Sequence, residues 1–481
     1  MDNQDGFNSF GQDTADFQDI LITKRITDDF LRNQGLKKVW TAKYLWSLGI
    51  GTVLTGFYTQ WKVPGEIISS FSFLTALGVV GLLYAIYFVF VAELAVLFPY
   101  AGGHYAFARR GLGNFGGYVA GTSSVFQFIF GAAALSQLFK RFIMDLIPDN
   151  SAGLIVGIII VALMVLYVFS TGISARVQMY LVGFGISGLF IFFIGCLEGK
   201  GDFSFVQLHY LPFWTGFATA VPLVIWYFLG LEGLSLVAEE TKNPQRILPV
   251  AMITTVGTVF LFVLGVWFFA VRLLPDLFFQ SNGQPLLFIL QKVQSHDTVL
   301  HSTFLAVSMC VYISGLNGLI NGFSRQVYTL ARGGYYPLFI DKLHSVYRTP
   351  YLAILIPGIV VLGAFLLIQL NILVYFSLLS ALLGHLLVLI SYCRIHKFEP
   401  ILFRFRGFVN HPILLYIVIS LILTILVIIL FACGPDIIYL LLLWSVACFY
   451  YFLWAKYHIR DEAPEESAAV QGEKRIKIDF R

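Results

Sequence analysis

The 481-residue chain is 58% hydrophobic and 12% charged, with a mean hydropathy of +0.81 and a formal net charge of +4. Soluble domains are about one quarter charged, so this composition excludes an ordinary water-soluble protein. The small positive excess implies no nucleic-acid partner, because the basic residues fall between apolar runs of about 20 residues, long enough to cross a hydrocarbon core of about 30 Å.

Helices are required, since barrel strands would alternate polar and apolar residues and these runs do not. A polar stretch rich in Asp and Asn precedes the first run, which begins near Lys43, and no short apolar region resembling a cleavable signal opens the chain. Twelve spans are predicted in chain order, centred on Ile50, Tyr84, Phe126, Ala162, Ser187, Tyr227, Phe260, Tyr312, Val360, Leu382, Leu421 and Leu443. Of the 31 Lys and Arg, all but Lys62, Lys140, Arg141, Lys200, Arg272 and Lys292 lie in the termini or the even-numbered loops. The positive-inside rule then places both termini in the cytoplasm, in a multi-pass protein of the cytoplasmic (inner) membrane. Asp461–Arg481 is charged and poor in apolar residues, which predicts a disordered cytoplasmic extension. Cys196, Cys310, Cys393, Cys433 and Cys448 are scattered, with no CxxC pair and no His cluster beside them. They read as packing residues, and no metal or cofactor is expected.

Two predicted spans are interrupted. The first carries Gly49-Ile50-Gly51-Thr52-Val53-Leu54-Thr55-Gly56, and the sixth, five spans later, carries Phe228-Leu229-Gly230-Leu231-Glu232-Gly233. Broken helices at corresponding places in two halves point to a midplane site in transporters built from inverted repeats. Glycines that merely let helices pack closely are the competing reading. The pairing favours discontinuous helices at both places.

The run Glu232-Gly-Leu-Ser-Leu-Val-Ala-Glu-Glu-Thr-Lys-Asn-Pro-Gln-Arg-Ile-Leu-Pro249 closely resembles the sixth-span signature of the amino acid, polyamine and organocation (APC) transporter superfamily. Two further segments are similar in the expected order. One is Glu93 to Pro99 with Ala101-Gly102-Gly103-His104-Tyr105 and Ala108-Arg109-Arg110. The other is Ser314-Gly315-Leu316-Asn317-Gly318 with Ser324-Arg325, Tyr328, Ala331-Arg332, Pro337 and Arg348-Thr349-Pro350. The likeness runs from about Lys37 to Lys456. It implies an all-α membrane fold: a 5+5 inverted-repeat core over residues 37–393 with helices 1 and 6 discontinuous, two C-terminal helices over 394–456, and cytoplasmic tails at 1–36 and 457–481. Within the superfamily, Leu48 to Gly51 through Thr55-Gly56, Tyr58 and Trp61 looks most like the ethanolamine permease branch. That branch usually has an acidic residue where this chain has Phe57, and amino acid carriers usually have a small residue where it has Leu54. Both departures imply a narrower or differently shaped pocket.

A helix broken at the midplane exposes N–H groups on one half and C=O groups on the other, which bind an anion and a cation without a buried side-chain charge. The resemblance places a substrate carboxylate at Gly51, Leu54, Thr55 and Gly56, and an ammonium at carbonyls around Trp226, Phe228, Leu229 and Gly230. Trp226 matches an aromatic that stacks over substrate in related exchangers; plain packing is the other reading. A carboxylate such as Glu232 inside a span is costly and marks function. Relaying a proton, holding the unwound segment through backbone N–H groups and pairing with a basic residue remain open for it, with a structural or coupling role favoured over substrate contact. Glu93 and Arg325 are candidates for an inner gate, beside snorkelling or a static ion pair. Glu239, Glu240, Lys242 and Arg246 read as a loop network, and His385 as an interior histidine with its hydrogen bonds satisfied. Proton-coupled relatives carry a lysine where this chain has Gly185, so coupling through that lysine is disfavoured. Exchange, sodium bound by first-span carbonyls with Ser308, and protonation of Glu232 stay open.

The expected function is secondary transport of a small amine or amino acid by alternating access, as a monomer or homodimer in the lipid bilayer. An enzyme is disfavoured because neither HExxH nor GxSxG nor a Cys/His cluster occurs in the spans. A channel is disfavoured by the lack of a filter-like repeat. A membrane sensor that binds the solute and scarcely transports it is the alternative.

Overall fold

The computed structural model describes residues 36–59, 68–98, 102–147, 151–198, 211–272, 284–294, 298–398 and 412–460. Trp61, Lys62, Lys200 and nearly all of both expected tails lie outside the described residues.

Helices occupy the described chain in this order: α1 Ala42–Thr59, α2 Ser70–Leu97, α3 His104–Leu146, α4 Ala152–Phe169, α5 Thr171–Glu198, α6 Phe213–Trp226, α7 Gly233–Leu236, α8 Pro244–Val266, α9 Pro285–Val293, α10 Thr298–Arg332, α11 Tyr351–Leu367, α12 Leu370–Phe398, α13 Pro412–Cys433 and α14 Ile437–Tyr450. Among the described residues eight helical stretches are long and apolar enough to cross a membrane, and α6 and α11 are shorter apolar helices. Eleven of the twelve predicted span centres fall inside helices, and Tyr227 falls in a run of turns.

The distribution of side chains is that of a protein solvated by hydrocarbon. On α4, Leu154, Ile158, Val161 and Val165 form one exposed stripe, while Val156, Ile160, Leu163 and Tyr167 are buried. Polar groups turn the other way. On α10, Ser308, Ser314, Asn317, Asn321, Ser324, Arg325 and Gln326 are all buried. Burying such groups is costly unless they are partnered within the bundle, as Asn317 is. The amide of Asn317 donates to Gln178 Oε1 at 2.6 Å and accepts from Ser174 Oγ at 2.9 Å, while Gln178 Nε2 donates to the Ser314 carbonyl at 3.2 Å. These bonds tie α10 to α5 beside α1.

Helix α1 corrects the expectation of a broken first span, because it is wound without a gap from Ala42 to Thr59. Its glycines serve close packing instead. A Cβ at Gly49 would meet Thr255 Cγ2 at 2.7 Å, one at Gly51 would meet Val182 Cγ2 at 2.8 Å, and one at Gly56 would meet Tyr227 Cδ1 at 2.7 Å. The residues that let neighbours approach have kept the helix and given up side chains. The sixth span is broken as expected: α6 ends at Trp226, turns follow through Glu232, and only one further turn of helix, α7, forms before the chain turns again.

The re-entrant likeness after the second span also has a physical form. Gly102 and Gly103 carry φ of +138° and +44°, a short helical arm begins at His104, and Gly113 (φ +78°) kinks it into the long remainder of α3.

Candidate functional site

The break begins where α6 runs out. Tyr227 and Phe228 donate to the carbonyls three residues back, and Leu229 to that of Ile225. Gly230 then turns to φ +100°, a backbone state that a side chain strains, and its N–H leaves the helical ladder. Among the described residues no donor reaches the carbonyls of Trp226 and Leu229, and that of Phe228 accepts only a long 3.4 Å bond from Leu231. Trp226, Phe228 and Leu229, three positions named by the sequence, therefore present oxygens able to receive an ammonium.

The released Gly230 N–H is taken by the side chain of Glu232, at 3.1 Å to Oε1 and 3.2 Å to Oε2. The Gln127 amide, from α3, donates to the same carboxylate. Glu232 is fully buried, and among the described residues its one ion-pair partner is His385 of α12, with Nε2 3.7 Å from Oε2. Of the three roles left open for this carboxylate, its contacts describe two: holding the unwound segment and standing against a basic residue, His385. The geometry adds an electrostatic consequence. The N–H of Gly230 and the C=O of Leu229 belong to one trans peptide unit, so a negative charge on the N–H side makes the carbonyl on the opposite side a stronger acceptor.

The other predicted residues are placed as follows. Phe228 stacks on Tyr84 of α2, with centroids 5.1 Å apart and planes at 17°. Trp226 and Tyr227 face Gly56 of α1, and Thr52 faces Gly230, so α1 forms the wall opposite the break. Thr55 and Leu54 are buried in that wall, and Leu54 fills the space in front of Gly185. Because α1 is wound through Thr55 and Gly56, their N–H groups belong to the helical ladder. Ser308 lies apart, in a recess with Tyr58, Phe304 and Tyr312, where its hydroxyl donates to the Phe304 carbonyl at 2.8 Å.

Glu93 and Arg325 take separate partners. Tyr392 donates to Glu93 at 2.5 Å. Arg325 is fully buried and grips Glu240 through Nε and Nη2 at 2.8 and 3.1 Å, with Thr171 and Ser324 completing its contacts and Tyr167 presenting a ring face. Arg332 makes a second forked pair with Glu239 at 3.2 and 3.0 Å. The same loop receives the N–H groups of Val39 and Trp40 on the Glu240 carbonyl, and returns a bond from Lys242 to Trp40. The expected loop network is thus a clasp joining the approach to α1, the segment after the break and α10. Lys242 takes part in it through its backbone.

Sequence reasoning missed Gln127, Tyr84, Tyr87 and His104, which crowd Glu232 and His385, and it misjudged His385. Both ring nitrogens of His385 are buried without a hydrogen-bond partner. Gln127 sits in a run of Ser, Gly and Ala with no distinctive spacing, so only the fold brings it to the break.

Against this geometry, a profile of the family described as amino acid permease matches residues 45–453. The chain belongs to the amino acid permease family. An uncharacterized transporter of Rhizobium meliloti is 29% identical over 79% of this chain and 83% of its own length. The low-affinity putrescine importer PlaP of Escherichia coli is 27% identical over 56% of this chain and 62% of the importer. The branched-chain amino acid permease BcaP of Lactococcus lactis is 24% identical over 64% and 71%. The APC resemblance of the sixth span and its loop is therefore a family relationship, and the multi-pass apolar helices agree with it.

Proposed function

We propose that this protein is a secondary transporter of small primary amines, working by alternating access through twelve spans with both termini in the cytoplasm. The observation that carries the reading is the pair of unpartnered carbonyls, Trp226 and Leu229, beside a fully buried carboxylate at the broken sixth span. Backbone oxygens at a helix break suit an ammonium group, and the aromatic faces of Trp226 and Phe228 suit it as well. The Glu240 to Arg325 and Glu239 to Arg332 pairs serve as the cytoplasmic clasp that opens and closes.

The substrate is narrowed by what α1 does not offer. An amino acid needs an anion site beside its cation site, and wound N–H groups at Thr55 and Gly56 supply none. An amine lacking a carboxylate uses only the half of the site that the break provides. The putrescine importer among the relatives supports an amine. The branched-chain amino acid permease keeps amino acids in the test.

The deciding experiment combines a thermal-shift screen of the purified protein with counterflow in proteoliposomes, using ethanolamine, putrescine and L-leucine. Selective stabilisation and exchange of the amines are expected. Stabilisation by L-leucine alone would overturn the substrate class, and binding of any of the three without exchange would make the protein a sensor.

A further inference from the structure

Glu232 has a neighbour that amine binding does not use. His385 is 1% exposed, stands 3.7 Å from Glu232 Oε2, and has no hydrogen bond at either ring nitrogen. Its ring packs on Tyr87 with centroids 4.5 Å apart, meets the edge of Tyr84 at 5.6 Å, and lies 5.4 Å from the ring of His104. The Tyr87 hydroxyl is 2.9 Å from His104 Nε2, and His104 Nδ1 is a further buried nitrogen without a partner. His104 in turn opens the arm whose preceding glycine, Gly103, is pressed against Ser235 and Leu236 just after the break. Four titratable groups from four separate elements thus touch in sequence: Glu232, His385, Tyr87 and His104.

The groups facing His385 are Glu232 from the break, Tyr84 and Tyr87 from α2, and His104 from α3. Two turns along its own helix, Tyr392 is already engaged with Glu93. Among the described residues no lysine or arginine is paired with Glu232. A buried carboxylate calls for a positive partner, and a buried imidazole with two unused nitrogens calls for a proton or an acceptor. One proton on His385 answers both demands.

We propose that His385 is a proton-binding site set against Glu232, and that it binds its proton in competition with the substrate amine. This rests on the amine reading above. The step is one proton transfer: an imidazole lone pair takes a proton from hydronium, an N–H bond forming as an O–H bond breaks and water is left, and release is the reverse. Tyr87 and His104 adjoin His385 on the side of the arm. Competition follows from the charges. When His385 is neutral, the Glu232 charge acts through the Leu229–Gly230 peptide and strengthens the carbonyl that receives the ammonium. When His385 is protonated, that charge is offset and a second cation nearby is disfavoured. Linkage is reciprocal, so amine binding expels the proton. Amine entry is thereby exchanged for a proton.

Two measurements with ethanolamine and putrescine test this. In weakly buffered detergent solution, wild type is expected to release a fraction of one proton per amine bound at some pH between about 5 and 9, and to bind about fivefold more weakly at the acid end of that range than at the alkaline end. No release and no change in affinity across that range would overturn the proposal without calling on any variant. In proteoliposomes, His385→Gln is expected to exchange amine at a reduced rate, with the pH dependence of affinity flattened below about twofold and no accumulation driven by a pH gradient. Gradient-driven accumulation that survives in a folded His385→Gln protein would overturn it as well. Absence of any amine binding or counterflow in wild type would defeat the transport reading instead, so the two failures are distinguishable.

Discussion

Gly230 donates one amide N–H to both carboxylate oxygens of Glu232, two residues further on, at 3.1 and 3.2 Å. That single contact joins the break in the backbone to the charge buried beside it. It also makes the two separable by mutation, since a side chain can keep the oxygen and lose the charge.

Glu232→Gln does this. The glutamine oxygen still accepts from Gly230, so the protein is expected to insert and to unfold within a few degrees of wild type. A neutral acceptor is weaker than a charged one by about 1 to 1.5 kcal/mol, so amine affinity should fall about tenfold. Counterflow and thermal shift of the purified variant read the two quantities independently. Wild-type affinity and an unaltered pH profile would remove Glu232 from any part in binding or coupling.

Gly230 itself tolerates no side chain. Its φ of +100° costs an L residue about 1 to 2 kcal/mol, and a Cβ would stand 2.6 Å from Thr52 Cγ2 on the wall formed by α1. Gly230→Ala should therefore lower the apparent melting temperature, and Gly230→Leu should abolish uptake while the protein still reaches the membrane. Full uptake by Gly230→Leu would mean that the break is not the binding place.

The break at Gly230 was legible because a glycine and a glutamate interrupt an apolar run inside a highly specific signature. The first span was misread because Gly49, Gly51 and Gly56 carry the same composition with the opposite purpose. A glycine that unwinds a helix and one that admits Thr255 or Tyr227 against a wound helix look alike until the neighbours are known. Arg325 was recognised as important, yet its partner Glu240 lies 85 residues earlier, and the choice of Glu240 over Glu93 is made by the fold. Gln127 left no signal of its own, and His104 stood only as one residue of the segment resembling the arm, since the role of both arises where α2, α3 and α12 converge on the break.

Hydrogen exchange distinguishes the two kinds of glycine run. Amides from Gly49 to Gly56 sit in a continuous buried helix and should be strongly protected. From Tyr227 to Leu231 only Leu229 keeps a four-residue helical bond, and this segment should exchange faster by at least about tenfold. Equal protection of the two segments in detergent or nanodiscs would contradict the contrast between α1 and the sixth span.

The Arg325 to Glu240 pair is buried on both sides and forked. Glu240→Gln leaves a buried guanidinium without its counter-charge, an effect of about 3 to 5 kcal/mol, whereas replacing both partners by methionine should recover most of that loss. Exchange should behave differently. The double variant, stable but lacking its clasp, is expected to retain substrate binding and to lose the coupling of the two gates, seen as leak in the absence of substrate on the far side. A double variant as tight as wild type would reduce the pair to a structural role.

The last prediction concerns Gly185, where the resemblance to proton-coupled carriers implies a lysine. The Gly185 carbonyl accepts from the Tyr58 hydroxyl at 2.7 Å, and a Cβ there would run into Leu54 and, at 2.8 Å, into Val311 Cγ2. Leu54 thus occupies the volume that a side chain at position 185 needs. Gly185→Lys alone should fail to accumulate or should unfold far below wild type, because it combines overpacking with an unpaired buried charge. Adding Leu54→Ala makes room for the stem, and the double variant should recover folding by more than the two single effects sum to. Thermal unfolding of the four proteins closes that cycle. Simple additivity would show that Leu54 and Gly185 do not share the space that the contacts assign to them.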